Sequence, residues 1–144
     1  MKSKLSARLQ EIVEALPLKE GLRVLEIGCG SGVAAREVAK RVTGGKVLGI
    51  DRSSKAISQA KETSTAEIAS GILAFHIGPI ENFELPEKEE KYDLAFAVRV
   101  GALDGRHPEI EQLAIKQIRK ALKKNGKLYI DGGNPLKLLP LETR

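Results

Sequence analysis

Tryptophan is absent from this 144-residue chain, and aromatic residues make up only 3% of it. Its core must therefore be aliphatic, and few rings are available for stacking on bases or sugars. There is one cysteine, Cys29, so no internal disulfide can form. A single thiol fits a reducing compartment, and a cytoplasmic protein is expected. Long apolar runs are missing too. The clearest one, residues 94–98, is far too short to span a bilayer. Residues 1–10 hold no apolar stretch of signal-peptide length, and no membrane association is expected. Neither sign of charge dominates strongly. The net charge of +5 is compatible with an anionic partner without demanding one. Many cations (Lys116, Arg119, Lys120, Lys123, Lys124, Lys127) crowd the end of one helical pattern and the residues after it. There they complement a helix dipole on a solvated face.

What is present is a globular composition, 42% hydrophobic and 30% charged. The length suits one domain. We expect a single domain over residues 1–144, with an N-terminal helix at 1–17, a core at 22–131 and a tail at 132–144.

Leu5, Leu9, Ile12, Val13 and Leu16 recur at helical spacing, which predicts an amphipathic helix over residues 3–16, ended by Pro17 and Gly21. Strands are expected at 22–27, 46–50, 72–77, 92–98 and 127–130. Helices are expected at 33–42, from a Ser53 or Ser54 cap to about residue 69, and from Pro108 to Leu122. The alternation predicts an α/β fold, a doubly wound and mostly parallel five-stranded sheet with helices on both faces.

The most informative segment is Val24-Leu25-Glu26-Ile27-Gly28-Cys29-Gly30-Ser31-Gly32. An apolar strand runs into an acid, then into glycines at every second position, then into a helix start. Glycines there permit positive φ and let a ligand approach the backbone. A helix start offers unpaired N–H groups and a positive dipole end. Ligands of such sheets bind beyond the carboxyl ends of the strands, where strand order reverses. Asp51 ends the next strand, where its carboxylate can accept hydrogen bonds from both ribose hydroxyls.

These residues resemble motif I and the second acidic motif of the class I S-adenosylmethionine-dependent methyltransferases, a Rossmann-like family. The resemblance covers residues 22–131. It includes Gly49-Ile50-Asp51-Arg52-Ser53, His76-Ile77-Gly78-Pro79-Ile80-Glu81-Asn82, Lys91-Tyr92-Asp93-Leu94 and Leu122-Lys123-Lys124-Asn125-Gly126-Lys127-Leu128. It implies sheet order 3-2-1-4-5, with S-adenosylmethionine as cofactor and S-adenosylhomocysteine as product. It implies cofactor binding by Glu26, Gly28, Cys29, Gly30, Asp51, Arg52, Ile80 and Arg99, and no metal. Asp51 would hold the ribose, and Arg52 would line the adenine. Where the family often has an aspartate for the adenine amino group, this chain has Pro79, which leaves the backbone of Ile80 for that contact. Asp93 would be structural.

A nicotinamide dinucleotide is the competing ligand. Its G-x-G-x-x-G fingerprint would put glycine where Val33 stands, and Glu26 would lie too close to a pyrophosphate. The same glutamate suits the ammonium of a methionine moiety. A glycine turn that binds nothing is the plain structural alternative.

The expected activity is methyl transfer to an O or N atom of an unidentified substrate. Catalytic candidates follow the fourth strand: His107, a possible general base or helix cap, and Asp104, more simply a turn residue. Arg99, ending a buried strand, needs an anionic partner: the cofactor carboxylate, the substrate, Glu26 or Asp104. Nucleic acid is not indicated. Val98-Arg99-Val100-Gly101 stands where base-amino methylating relatives carry (N/D/S)-P-P-(Y/F), and no cysteine is placed for cytosine-carbon chemistry. The family usually continues past the fifth strand. Leu136, Leu138, Leu139 and Leu141, a second copy in a homodimer, or a partner subunit would have to cover that sheet edge. A cofactor-binding module or degenerate subunit that acts with a partner, without catalysis of its own, is the alternative function.

Overall fold

The computed structural model describes residues 5–141. Helix α1 (Ala7–Ala15) starts at a Ser6 cap, whose hydroxyl accepts the Leu9 amide at 3.1 Å. The helix expected from residue 3 thus begins later, and positions 3 and 4 lie outside the described residues. There follow β1 (Arg23–Ile27), α2 (Val33–Arg41), β2 (Lys46–Asp51), α3 (Ser54–Thr63), α4 (Thr65–Ala69) and β3 (Leu73–Ile77). Then come β4 (Tyr92–Ala97), α5 (Pro108–Ala121), β5 (Leu122–Asp131) and β6 (Leu136–Leu139). Short 3-10 turns occupy Ile80–Asn82 and Gly101–Leu103.

The sheet order is β3-β2-β1-β4-β5-β6. All neighbours are parallel except β6, which runs antiparallel to β5. The doubly wound class and the 3-2-1-4-5 order are as expected, but the sheet has six strands rather than five. Leu136 pairs with Asp131 and Leu139 with Leu128, so the tail itself covers the β5 edge. The sequence offered only a short leucine-rich stretch there, too brief to show a period.

Alternation along the strands splits the core in two. Leu25, Ile27, Ala95 and Ala97 face α5 through Ala114, Ile118 and Ala121. Val24, Leu94 and Phe96 face α1 and α2 through Val13, Val38 and Ala39. A period of two is what a sheet buried on both faces requires.

Two other expectations change. The third helix breaks at Ser64, giving α3 and α4. Strand β5 begins at Leu122 rather than at Lys127. Leu122 pairs with Tyr92 and Lys127 with Leu94, so residues 123–126, with Asn125-Gly126, bulge between them. Asp93 is structural as expected. It accepts the Arg23 amide at 2.9 Å and pairs with Lys123 at 3.1 Å. Burial works against that carboxylate, but these partners hold it below its ordinary value.

The helix break has a cause that the sequence pattern did not reveal. Arg36 of α2 is buried, and its Nη1 donates to the Ser31 carbonyl at 3.0 Å, Thr63 Oγ1 at 2.9 Å and Ser64 Oγ at 3.0 Å. Among the described residues it has no ion-pair partner, so a buried cation rests on neutral acceptors. Arg36 thereby ties the glycine turn to the α3–α4 joint. Arg36→Ala should cost about 1–3 kcal/mol, from its unmet acceptors and lost packing. Urea unfolding with an unchanged slope would register it as a lower midpoint.

Candidate active site

The carboxyl end of β1 passes straight into the glycine turn. Gly28, Gly30 and Gly32 all have positive φ, at 73°, 55° and 86°. A Cβ on Gly28 would come within 2.7 Å of Val100 Cγ2, so the loop after β4 lies directly on the turn. A Cβ on Gly30 would meet nothing within 4 Å, so that position faces open space.

The turn is held from β2. The Ile50 carbonyl accepts the amides of Gly28 at 2.7 Å and Cys29 at 3.0 Å. Asp51 Oδ2 accepts the Gly30 amide at 2.8 Å, and its Oδ1 accepts the Ser53 amide at 2.9 Å. The Gly32 amide goes to the Cys29 carbonyl at 3.0 Å. The sequence suggested unpaired N–H groups at the helix start; the four turn amides that precede it are already engaged within the protein.

Glu26 is the electrostatic anomaly. It is only 4% exposed, and its Oε1 has no hydrogen-bond partner among the described residues. Burial pushes its carboxyl up to about 8, and the charge of Asp51 adds to the shift. Cys29 is buried as well, with Sγ over Gly49, where a Cβ would approach it to 2.9 Å. Burial first, then Glu26 and Asp51, raise its thiol far above its ordinary value, so it is no nucleophile.

A cleft of about 340 Å³ opens beyond the strand ends. Of the residues expected to bind a cofactor, Gly28, Asp51, Arg52, Ile80 and Arg99 line it. Glu26, Cys29 and Gly30 are not on its lining; they form the wall and turn beside it. Pro79 lines the cleft next to Ile80, which is buried and opens a 3-10 turn.

His107 lines this cleft too. It is the N-cap residue of α5, yet its side chain makes no capping bond. Asp104 is not part of this cleft. It binds Arg106 Nε at 2.6 Å and the Arg106 amide at 3.0 Å, and those bonds hold its carboxyl below the usual range. It closes the 104–106 turn on Arg106.

Arg99 does not end a buried strand. Strand β4 stops at Ala97, and Arg99 is exposed with φ 57°. Its amide donates to Asp131 Oδ1 at 3.0 Å. Among the described residues it pairs with neither Glu26 nor Asp104. Sequence reading missed Val100, Gly78, Glu81 and Ile110 as lining residues. Only the glycine in Gly78-Pro79 carried any sign of a close approach.

Among the described residues, no three His, Cys, Asp or Glu side chains gather as a metal site. No helix among them is long and apolar enough to cross a membrane.

The fold and turn define a doubly wound α/β domain with a glycine-turn cleft at the β1 and β2 ends. Residues 18–143 match the family described as methyltransferase domain, and the chain belongs to that family. It is 34% identical over 119 residues to the ribosomal protein L11 methyltransferase of Dictyoglomus thermophilum, covering 81% of this chain and 34% of that protein. It is 29% identical over 115 residues to the sterol 24-C-methyltransferase of Aspergillus fumigatus, covering 80% of this chain and 29% of that one. The chain thus spans about a third of these relatives' length. A solved methyltransferase from Thiobacillus denitrificans, in complex with S-adenosyl-L-homocysteine, superposes with a TM-score of 0.65 at 28% identity. That match covers 85% of this chain and 46% of the other.

The raised Glu26 carboxyl gives a pH signature. In the unfolded chain it titrates near its ordinary 4.5, and in the folded protein near 8. Between those values the folded state holds the extra proton, so Glu26's contribution to stability is full below 4.5 and lost as pH rises to about 8. Glu26→Gln cannot titrate. Its urea midpoint should gain on the wild type across that window, and parallel pH profiles would contradict the assignment.

Proposed function

We propose that this chain is an S-adenosylmethionine-dependent methyltransferase domain that delivers a methyl group to an O or N atom of a small acceptor. The observation that carries the reading is Glu26 Oε1, a buried acceptor without a donor, beside a turn whose amides are engaged. A pyrophosphate needs N–H donors, and Gly28, Cys29, Gly30 and Gly32 have none to spare. A cationic ammonium needs acceptors, and Glu26 is one. The chemistry therefore favours a methionine moiety over a dinucleotide.

The remaining roles follow from position. Asp51 keeps lone pairs free on both carboxylate oxygens and lines the cleft, which suits the ribose hydroxyls. Ile80 and Pro79 give the adenine an apolar wall, and Arg52 closes the outer side. The backbone of the Gly28–Gly30 turn lets the ligand approach without a Cβ in the way. Once bound, S-adenosylmethionine supplies an electrophilic sulfonium methyl; the acceptor's lone pair forms the new bond, and the C–S pair stays on sulfur.

The protein's contribution is then mainly alignment, which can supply roughly 7–11 kcal/mol of barrier lowering. His107, spared from capping, is a group in the cleft able to take a proton from an O–H or N–H acceptor, and Glu81 is a second. Asp104, bonded to Arg106, is placed outside this cleft.

Calorimetric titration with S-adenosylmethionine and S-adenosylhomocysteine tests the reading. Asp51→Ala and Glu26→Gln should each weaken binding about tenfold or more, the size of a lost charge-assisted hydrogen bond. Binding undiminished in both variants would overturn the site, and no binding by the wild type would overturn the cofactor. Binding without turnover on any acceptor would favour a cofactor module that acts with a partner.

A further inference from the structure

A second cleft, of about 650 Å³, adjoins the first and shares Arg99 and Val100 with it. It lies between the ends of β4 and β5, the 99–107 loop and the start of β6. Its floor is apolar, with Ala97, Leu103 and Ile130 all buried. Its rim carries Arg99, Arg106 and Lys137 against Asp104, Glu111 and Asp131. Three of these six charges are already paired, Arg106 with Asp104 at 2.6 Å and Asp131 with Arg8 at 3.7 Å, and Glu111, in the first turn of α5, is the one acid of the rim without an ion-pair partner among the described residues. Arg99 and Lys137 have no ion-pair partner among the described residues. They sit on either side of Asp131–Gly132. Arg99 bonds Asp131 through its amide, and Lys137 pairs with Ile130 across β5 and β6 and lies against Gly132.

The backbone at Arg99 is the second observation. Left-handed φ is uncommon outside glycine and is strained where the surroundings impose it. Here the Asp131 carboxylate holds it, at 3.0 Å from the Arg99 amide. A strained residue fixed by a charged acceptor carries a guanidinium exactly on the ridge between two clefts. A guanidinium there can take a carboxylate or phosphate bidentately. The volume suits a small molecule rather than a macromolecule.

We propose that this second cleft holds the methyl acceptor, and that the acceptor is a small amphipathic anion. Its carboxylate or phosphate is bound by Arg99 with help from Lys137, and its hydrocarbon body lies on Ala97, Leu103 and Ile130. Asp131 is a positioning residue that fixes the Arg99 backbone. The word acceptor rests on the methyltransferase reading, whereas anion binding stands independently of it.

Binding of octanoate, octyl phosphate, octanol and octylamine to the full chain, followed by calorimetry without cofactor, tests the site. At least one anion should bind about tenfold or more tightly than octanol and octylamine, and the two anions separate carboxylate from phosphate preference. Arg99→Met should remove that preference. Lys137→Met, at an exposed strand position, should weaken the anion severalfold and guards against misfolding of the first variant. Equal affinity for octanol and the anions, or full anion affinity in both variants, overturns the proposal. S-adenosylhomocysteine binding, measured separately on the same samples, reports on the cofactor reading alone.

Discussion

The end of β2 grips the glycine turn, and the functional end of the molecule depends on that grip. One carbonyl, Ile50, takes two amides of the turn, and one carboxylate, Asp51, takes a third. Three alternate glycines at positive φ, Gly28, Gly30 and Gly32, leave a turn that keeps one shape only with such fixed partners. The grip has an electrostatic consequence. Four amides of the turn are spent on other acceptors and none on Glu26, which lies buried near the Asp51 charge and keeps its proton to a higher pH. The protein thus carries an unmet acceptor beside a turn with four amides already engaged. A cation is the complement of that arrangement, and an anion is not.

The loop after β4 makes the other half of the site by the opposite means. Its residues are not strand residues, and its conformation comes from contacts made across the sheet. Val100 lies on Gly28, Asp131 of β5 holds the amide of Arg99, and Asp104 closes the loop on Arg106. The first cleft thus has Asp51 of β2 on its lining and Glu26 of β1 in the wall beside it, and the second has the unpaired cations Arg99 and Lys137 on a rim of mixed charge. Arg99 stands on the ridge between them. Two adjoining clefts that share a residue can orient two different ligands against each other, which alignment-driven transfer requires.

Much of the fold was legible because it obeys local rules. Leu22 to Ile27 reads as a buried strand, the glycines read as a turn, and Pro108 starts α5 where its missing N–H costs nothing. The cofactor side of the site was legible for the same reason: Glu26, Gly28, Gly30 and Asp51 are a few residues from strand ends that their own pattern predicts. What went unread was made by distant partners. Ser64 interrupts a helical pattern because Arg36, 28 residues earlier, bonds its hydroxyl. Strand β6 exists because β5 offers an unpaired edge, not because four residues have a period. Asp104 reads as a turn residue and His107 as a base or a cap; an ion pair to Arg106 and an unused helix cap are what the structure adds.

The sequence by itself determined the alternating elements, the order of the five parallel strands through the family it resembles, and which residues stand at their carboxyl ends. Those features follow from hydrophobic period, turn residues and spacing, which act within a few residues. Only the tertiary structure decided that the turn's amides are spent and Glu26 is unpaired. Only it decided that Arg99 is strained and shared by two clefts, and that the tail is a sixth strand. Each of these is a matter of which polar groups find partners across the sheet, and no local pattern records where a partner far along the chain will come to lie.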